Sequence, residues 1–264
     1  MIELNDIHVT FNRGTPLETK ALRGIDLKIP SGEFLTVIGS NGAGKSTALN
    51  VVAGTILAER GTVFVDDRNV TRLDAHKRAP FLSRVFQDPK MGTCETLTIL
   101  ENFALAHGRT KPRGFRLAAT RAMRAEVAER IAALGLGLEK RLDDKVGLLS
   151  GGQRQAVSLL MATTGSTRVL LLDEHTAALD PKTGDFVLEL TRELVARLGL
   201  TAIMVTHSMA QALSTGDRTV MLHGGRIIFD AAGDKRAALG VEDLLHLFKE
   251  QQGTELSDDS LLLD

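Results

Sequence analysis

The chain has 264 residues, enough for one large domain or two small ones with a proper core, and 43% apolar with 25% charged residues is ordinary for a soluble globular protein. Lys and Arg number 32 against 33 Asp and Glu, so there is no global basic field of the kind that draws a protein to nucleic acid. The lone cysteine, Cys94, excludes an internal disulfide, and no apolar run reaches the ~20 residues that span a bilayer.

The N-terminal MIELNDIHVTF has neither the basic start nor the long apolar stretch of a secretory signal, so the expectation is a cytosolic protein that meets membranes only through a partner. Trp and Tyr are both absent, which leaves Phe, His or Arg for any stacking on an aromatic base. Ile7, Val9 and Phe11 alternate with polar residues and predict a strand. Residues 12–18 are a turn-rich loop, and Leu22, Ile25, Leu27 and Ile29 suggest a second strand. Phe34–Ile38 is a short apolar run of the buried-strand kind, followed by a glycine-rich turn and a helix from Ser46 to about Ala53. Gly61–Asp67 reads as strand and turn. From Glu95 to about Thr164 the pattern is helical, with helices over Leu97–Ala106 and Ala118–Leu134, the latter supported by Glu126 and Arg130 at i,i+4. The basic stretch His107–Arg116 lies between them and reads chiefly as a solvated loop, with membrane or permease contact as the alternative for Arg109, Lys111, Arg113 and Arg116.

Strands resume at Val169–Leu172 and Thr201–Thr206, flanking a helix over Pro181–Leu198 that starts on Asp180 as N-cap and Pro181 at N1. Val220, Leu222, Ile227 and Phe229 around Gly224-Gly225 predict a hairpin. The tail QQGTELSDDSLLLD is acidic and is expected to be mobile. Strands alternating with helices in two blocks, interrupted by an all-helical block, describe an α/β core with an inserted helical subdomain.

Gly39-Ser40-Asn41-Gly42-Ala43-Gly44-Lys45-Ser46-Thr47 fits G-x-x-x-x-G-K-[ST] between a strand and a helix. In that motif backbone N–H groups face phosphate oxygens at a helix N-terminus, Lys45 reaches the β- and γ-phosphates, and Ser46 offers a hydroxyl to Mg²⁺. VLLLDE, Val169–Glu174, is a buried strand ending in two carboxylates: Asp173 suits the Mg²⁺ site, and Glu174 can take a proton from an attacking water.

Ser150-Gly151-Gly152-Gln153 is an S-x-x-Q capping box. It explains a helix start by itself, but two glycines in a first turn weaken a helix by up to ~1 kcal/mol each. Bare glycines there also leave room for an anion, and a γ-phosphate bound by another copy of the chain is the economical candidate.

With these residues in place the chain resembles the nucleotide-binding subunit of an ABC transporter, whose signature LSGGQ stands here as Leu149–Gln153. The resemblance runs from about Ile2 to Asp234. It implies a P-loop NTPase, RecA-like α/β core with an antiparallel β subdomain and an inserted all-helical subdomain. The implied domain is 1–235, with the core at about 1–88 and 160–235, the helical subdomain at about 89–159, and a short helix and tail over 236–264. The resemblance further implies ATP and Mg²⁺ as cofactors, and a head-to-tail dimer in which each signature completes the partner's site.

It assigns adenine stacking to Phe11, although a period-2 apolar residue also reads as core. Gln87 in VFQDP is assigned contact with Mg²⁺ or the attacking water. Asp180 after Leu179 is assigned to the loop that crosses to the partner, and His207 to the γ-phosphate. The partners implied are transmembrane permease subunits and, indirectly, a solute-binding protein, with no nucleic acid, at the cytoplasmic face of the cell membrane. Import of a small solute is expected, DEHTAALD with FQDP resembling a subgroup that serves amino-acid-type binding proteins. An exporter, a lipoprotein-release system and a soluble non-transport ATPase are the alternatives. The chain departs from the family pattern at His175, where proline is usual. The expectation is a structural substitution, with His175→Pro leaving the pH–rate profile unchanged.

Overall fold

The computed structural model describes residues 1–109 and 119–252. In chain order the elements are β1 (Ile2–Phe11), β2 (Thr19–Ile29), β3 (Phe34–Gly39), α1 (Lys45–Ala53), β4 (Arg60–Val65), β5 (Arg68–Asn69), α2 (Ala75–Arg78), β6 (Leu82–Val85), α3 (Ile99–Gly108), α4 (Arg121–Ala132), α5 (Gly151–Ala162), β7 (Val169–Asp173), α6 (Pro181–Leu198), β8 (Thr201–Val205), α7 (Met209–Thr215), β9 (Arg218–His223), β10 (Arg226–Ala232), α8 (Gly233–Ala237) and α9 (Val241–Gln252). They form two compact units: Met1–Arg78 together with the chain from Leu198 onward, and Ala79–Arg197.

The first unit holds an antiparallel sheet in the order β2-β1-β4-β5, and the parallel strands β9-β3-β8 with β10 antiparallel at the edge. All six residues of β3 are buried, which is why its sequence is apolar rather than alternating except at Thr36, whose hydroxyl is hydrogen-bonded to the Arg218 carbonyl and to Thr219. The end of β1 breaks its own pattern. Ile7 and Val9 are buried, but a register shift lies between Val9 and Thr10, and Phe11 emerges 38% exposed. The shift leaves Ala21 of β2 without a partner in β1, and the exposure of Phe11 removes the alternative that it is a core strand residue. In the same unit, Leu244 and Phe248 of α9 pack with Ile38, Met209, Ala212 and Met221. The predicted C-terminal helix therefore has a seat; the acidic tail beyond it lies outside the described residues.

The second unit contains β6 and β7, paired in parallel, together with α3, α4, α5 and α6. It thus takes in two strands and α6 besides the helices between residues 89 and 159. Among the described residues from Glu95 to Thr164 the only extended pairing is a single bridge, Thr98 to Lys145. Thr98 and Glu101 form a full capping box on α3, and Arg130 pairs with Glu126 at 2.9 Å on α4. Arg109 departs from the solvated-loop reading: its guanidinium donates to the carbonyls of Ala162 and Thr164, at 3.3 and 3.1 Å, and so closes the C-terminal end of α5. Lys111, Arg113 and Arg116 lie outside the described residues.

Candidate nucleotide site

In the first unit, the phosphate loop is shaped by what cannot fit beside it. Gly39 has φ 147°, and a Cβ there would sit 2.2 Å from the Leu222 carbonyl oxygen; at Gly44, φ 102°, it would sit 2.5 Å from that of Ala21. Only glycine permits both conformation and approach. The Gly224-Gly225 turn braces the loop further: Gly225 donates its N–H to the Ala43 carbonyl at 3.1 Å and accepts from Arg23 at 2.9 Å. Lys45 opens α1 and is 5% exposed. Its ammonium folds back onto the carbonyls of Gly39 and Ser40, at 2.5 and 3.0 Å, so an arriving phosphate competes with the loop's own oxygens for it.

His207 follows β8, and Thr206 donates its N–H to Val37 of the adjacent parallel strand at 3.2 Å, so histidine and phosphate loop leave the same edge of the sheet. That edge, outside the carboxyl ends of parallel strands, is where α/β sheets bind ligands. Phe11 pairs with Thr19 of β2, close along that strand to Ala21 beneath Gly44.

In the second unit, Gln87 follows β6, and Asp173 and Glu174 end β7, with Val85 and Leu172 as register partners. These three residues therefore share one edge as well. Asp173 is ion-paired with Arg84 of β6, both side chains being largely buried, and the Arg84 guanidinium lies 4.8 Å over the Phe86 ring. Glu174 takes a left-handed backbone, φ 47°, which costs a residue with a Cβ roughly 1–2 kcal/mol. The next turn holds it there. Ala177 donates to the Glu174 carbonyl at 3.0 Å, the Gln155 amide donates to the His175 carbonyl at 2.8 Å, and the His175 ring meets Thr191 at 2.9 Å.

The Thr191 hydroxyl proton is spent on the Val187 carbonyl at 2.7 Å, so Nε2 of His175 must be the donor to Thr191. Burial pushes the His175 pKa down to about 4, and the ring is neutral at pH 7. The departure from proline is a packed, hydrogen-bonded core residue.

The capping box at α5 is complete: Ser150 Oγ accepts from the Gln153 N–H at 3.3 Å, and Gln153 Oε1 accepts from the Ser150 N–H at 3.1 Å. The two glycines between them differ. A Cβ on Gly152 would lie 1.9 Å from the Thr183 methyl of α6, so packing alone demands glycine there. Gly151 is exposed, and its Cβ would make only an ordinary 3.6 Å contact with Leu179. Helix propensity therefore argues for a ligand at one glycine, not two. Asp180 lies beside this group: it caps α6 by accepting from the Thr183 N–H at 3.1 Å, and bonds from Thr183 hold its carboxyl below the usual range.

A family model described as ABC transporter matches residues 22–177. The chain belongs to the ABC transporter family. It is an ATP-hydrolysing cassette, and relatives match it well beyond the motifs. A protein named tyrosine transport ATP-binding protein, from Clostridioides difficile, is 40% identical over 94% of this chain and 99% of its own length. An aliphatic sulfonates import ATP-binding protein from Ralstonia nicotianae is 37% identical over 82% of this chain and 69% of its own. A dimeric ATP-binding cassette in a post-hydrolysis state, bound to ADP and phosphate, superposes with a TM-score of 0.75 at 29% identity, covering 88% of this chain and 98% of that one.

Sequence reasoning missed Arg84 and Gln155. Arg84 left a signal, a charge between the apolar residues of LSRVF; Gln155 left only a polar residue in a helix whose neighbours prove to be buried.

Proposed function

We propose that this chain powers the import of a small solute, an amino acid in the first instance, by closing on a second copy around ATP and reopening after hydrolysis. The exposed glycine at the head of α5 carries this reading: a side chain would fit there, yet none is present, and a helix N-terminus without one suits a phosphate from outside the chain.

Each residue then has a task. The loop Gly39–Thr47 binds the triphosphate through its N–H groups, and Lys45 exchanges its carbonyl partners for phosphate oxygens. Phe11 stacks on adenine. Ser46, Asp173 and Gln87 are hard oxygen donors of the kind Mg²⁺ takes when it arrives with a nucleotide, and the ion supplies charge neutralisation at the phosphates. Glu174 receives the proton of the attacking water, with Gln87 and His207 orienting it. Ser150, Gly151, Gly152 and Gln153 grip the partner's γ-phosphate, and Asp180 crosses beside them.

No described helix is long and apolar enough to cross a membrane. The chain works at the cytoplasmic face through a permease, and a solute-binding protein selects the cargo. The permease's cytoplasmic helix would rest in a groove of about 430 Å³ in the second unit, bordered by the exposed Met91 and Leu105. The near full-length relation to a tyrosine transport subunit supports the solute class.

Glu174→Gln is the test. It should bind ATP, hydrolyse it about 10²–10⁴-fold more slowly, and run as a nucleotide-bound dimer in size-exclusion chromatography. Near-native turnover would move the base to another residue, and a monomer under saturating Mg·ATP would remove the dimer.

A further inference from the structure

Gln155 sits one helical turn beyond Gly151 on α5, and it is fully buried. Its side-chain nitrogen donates to the Phe86 carbonyl at 3.0 Å and to the His175 carbonyl at 2.8 Å. Phe86 precedes Gln87, and His175 follows Glu174. Because both neighbours are acceptors, the amide can face them only through its NH₂ group. The other end of the amide, Oε1, is buried with no hydrogen-bond partner. A fold rarely leaves a polar atom orphaned, so the residue is held here for its two donors. Arg154, next along, reaches Thr93 and Glu95, each at 2.6 Å, and so grips the far side of the Gln87 segment. Of the two side chains, Gln155 is the one that also holds the Glu174 turn.

Resting on the dimer reading above, we propose that Gln155 is a positioning residue that couples the two ATP sites: the partner's nucleotide seats the head of α5, and Gln155 sets the backbone beside this chain's own Gln87 and Glu174. The physical reason is stiffness. Gly151 and Gln155 lie about 6 Å apart along a hydrogen-bonded helix, so a shift at the head reaches the amide undiminished. Once either N···O distance passes about 3.5 Å that bond is gone, and a fully buried amide has no water to replace it. The two backbone segments must follow α5 or lose their donor. Glu174 is the sensitive receiver, because its left-handed φ of 47° persists only while the turn after it is held.

The experiment uses the full chain and two variants. Gln155→Met keeps the volume and removes both donors. Gln155→Glu supplies a donor only when its carboxyl is protonated. Turnover is measured against ATP concentration, alongside ATP affinity of the monomer by calorimetry, the melting temperature, and ATP-driven dimerisation in a Glu174→Gln background.

With Gln155→Met, the Hill coefficient should fall from near 2 towards 1 and kcat at least tenfold. Monomer affinity and the ATP concentration for half-maximal dimerisation should stay within about threefold. With Gln155→Glu, kcat relative to wild type should recover as pH drops from 8 to 6. A folded Gln155→Met variant with native kcat and Hill coefficient overturns the proposal. If that variant does not fold, the Gln155→Glu ratio decides, and a flat ratio across pH overturns it. Failure of the Glu174→Gln chain with native Gln155 to dimerise would instead strike the dimer reading itself.

Discussion

Acid should find this protein's weak point at His175. The side chain is 1% exposed, and burial lowers its pKa from 6.5 to about 4. Above pH 6.5 the ring is neutral whether the chain is folded or not, and the group adds no pH dependence. As pH falls below 6.5 the unfolded chain takes up a proton that the folded one refuses. Unfolding gains until the folded ring also protonates near pH 4. At about 1.4 kcal/mol per pH unit, the gap between those values corresponds to about 3 kcal/mol when fully developed and about 2 kcal/mol at pH 5. The assay is urea unfolding followed by circular dichroism at pH 7.5 and 5.0, for wild type and for His175→Gln, which can still donate to Thr191. Other acid-sensitive groups act alike in both proteins and cancel in the difference. Wild type should lose about 2 kcal/mol more than the variant between the two pH values. Equal losses would refute the reasoning, because they would mean that the folded ring protonates as freely as the unfolded one. Turnover should separate the same alternatives: between pH 6.5 and 8.5 the rate profiles of the two proteins should have one shape, since the ring is neutral throughout.

The two signature glycines should fail differently. Gly151→Asp should abolish most hydrolysis while ATP binding by the monomer, read by calorimetry, stays near native; lost binding would place Ser150–Gln153 in the chain's own site. Gly152→Ala, whose new methyl meets that of Thr183, should cost about 1–3 kcal/mol in urea unfolding, and adding Thr183→Ser should restore most of it. Arg78 is fully buried and donates to the carbonyls of Val51, Val52, Val70 and Leu73, closing the C-terminal end of α1 behind the phosphate loop. Arg78→Met should therefore cost roughly 3 kcal/mol or more in unfolding free energy, and Arg78→Lys should recover only part of it, since an ammonium cannot span four carbonyls in a planar fork.

Much of this was legible from spacing. The phosphate loop, the carboxylate pair and the capping box are local, and each fixes its geometry through backbone bonds and helix ends within a few residues. The Gly-Gly hairpin and the start of α6 at Asp180-Pro181 follow the same logic. β6 and α7 escaped because they are short. Four residues including a charged Arg84 give no period to read, and the seven residues of α7 hold by packing Met209 and Ala212 into a cluster assembled from distant chain. For Phe11 the letters left stacking and core both open, and only the exposure of its side chain in the fold removes the core alternative.

The amino-acid order alone therefore determined which chemistry this chain can carry, since phosphate binding and proton transfer need particular atoms at short, fixed separations. Folding decided what the order could not express. It showed that one signature glycine answers to a threonine methyl and the other to open space. It showed that the histidine after Glu174 is a buried, hydrogen-bonded core residue. It also brought one buried amide to two strand ends that lie far apart in the chain. Those outcomes depend on which distant surfaces meet and how much water is left between them, and neither quantity exists until the chain is packed.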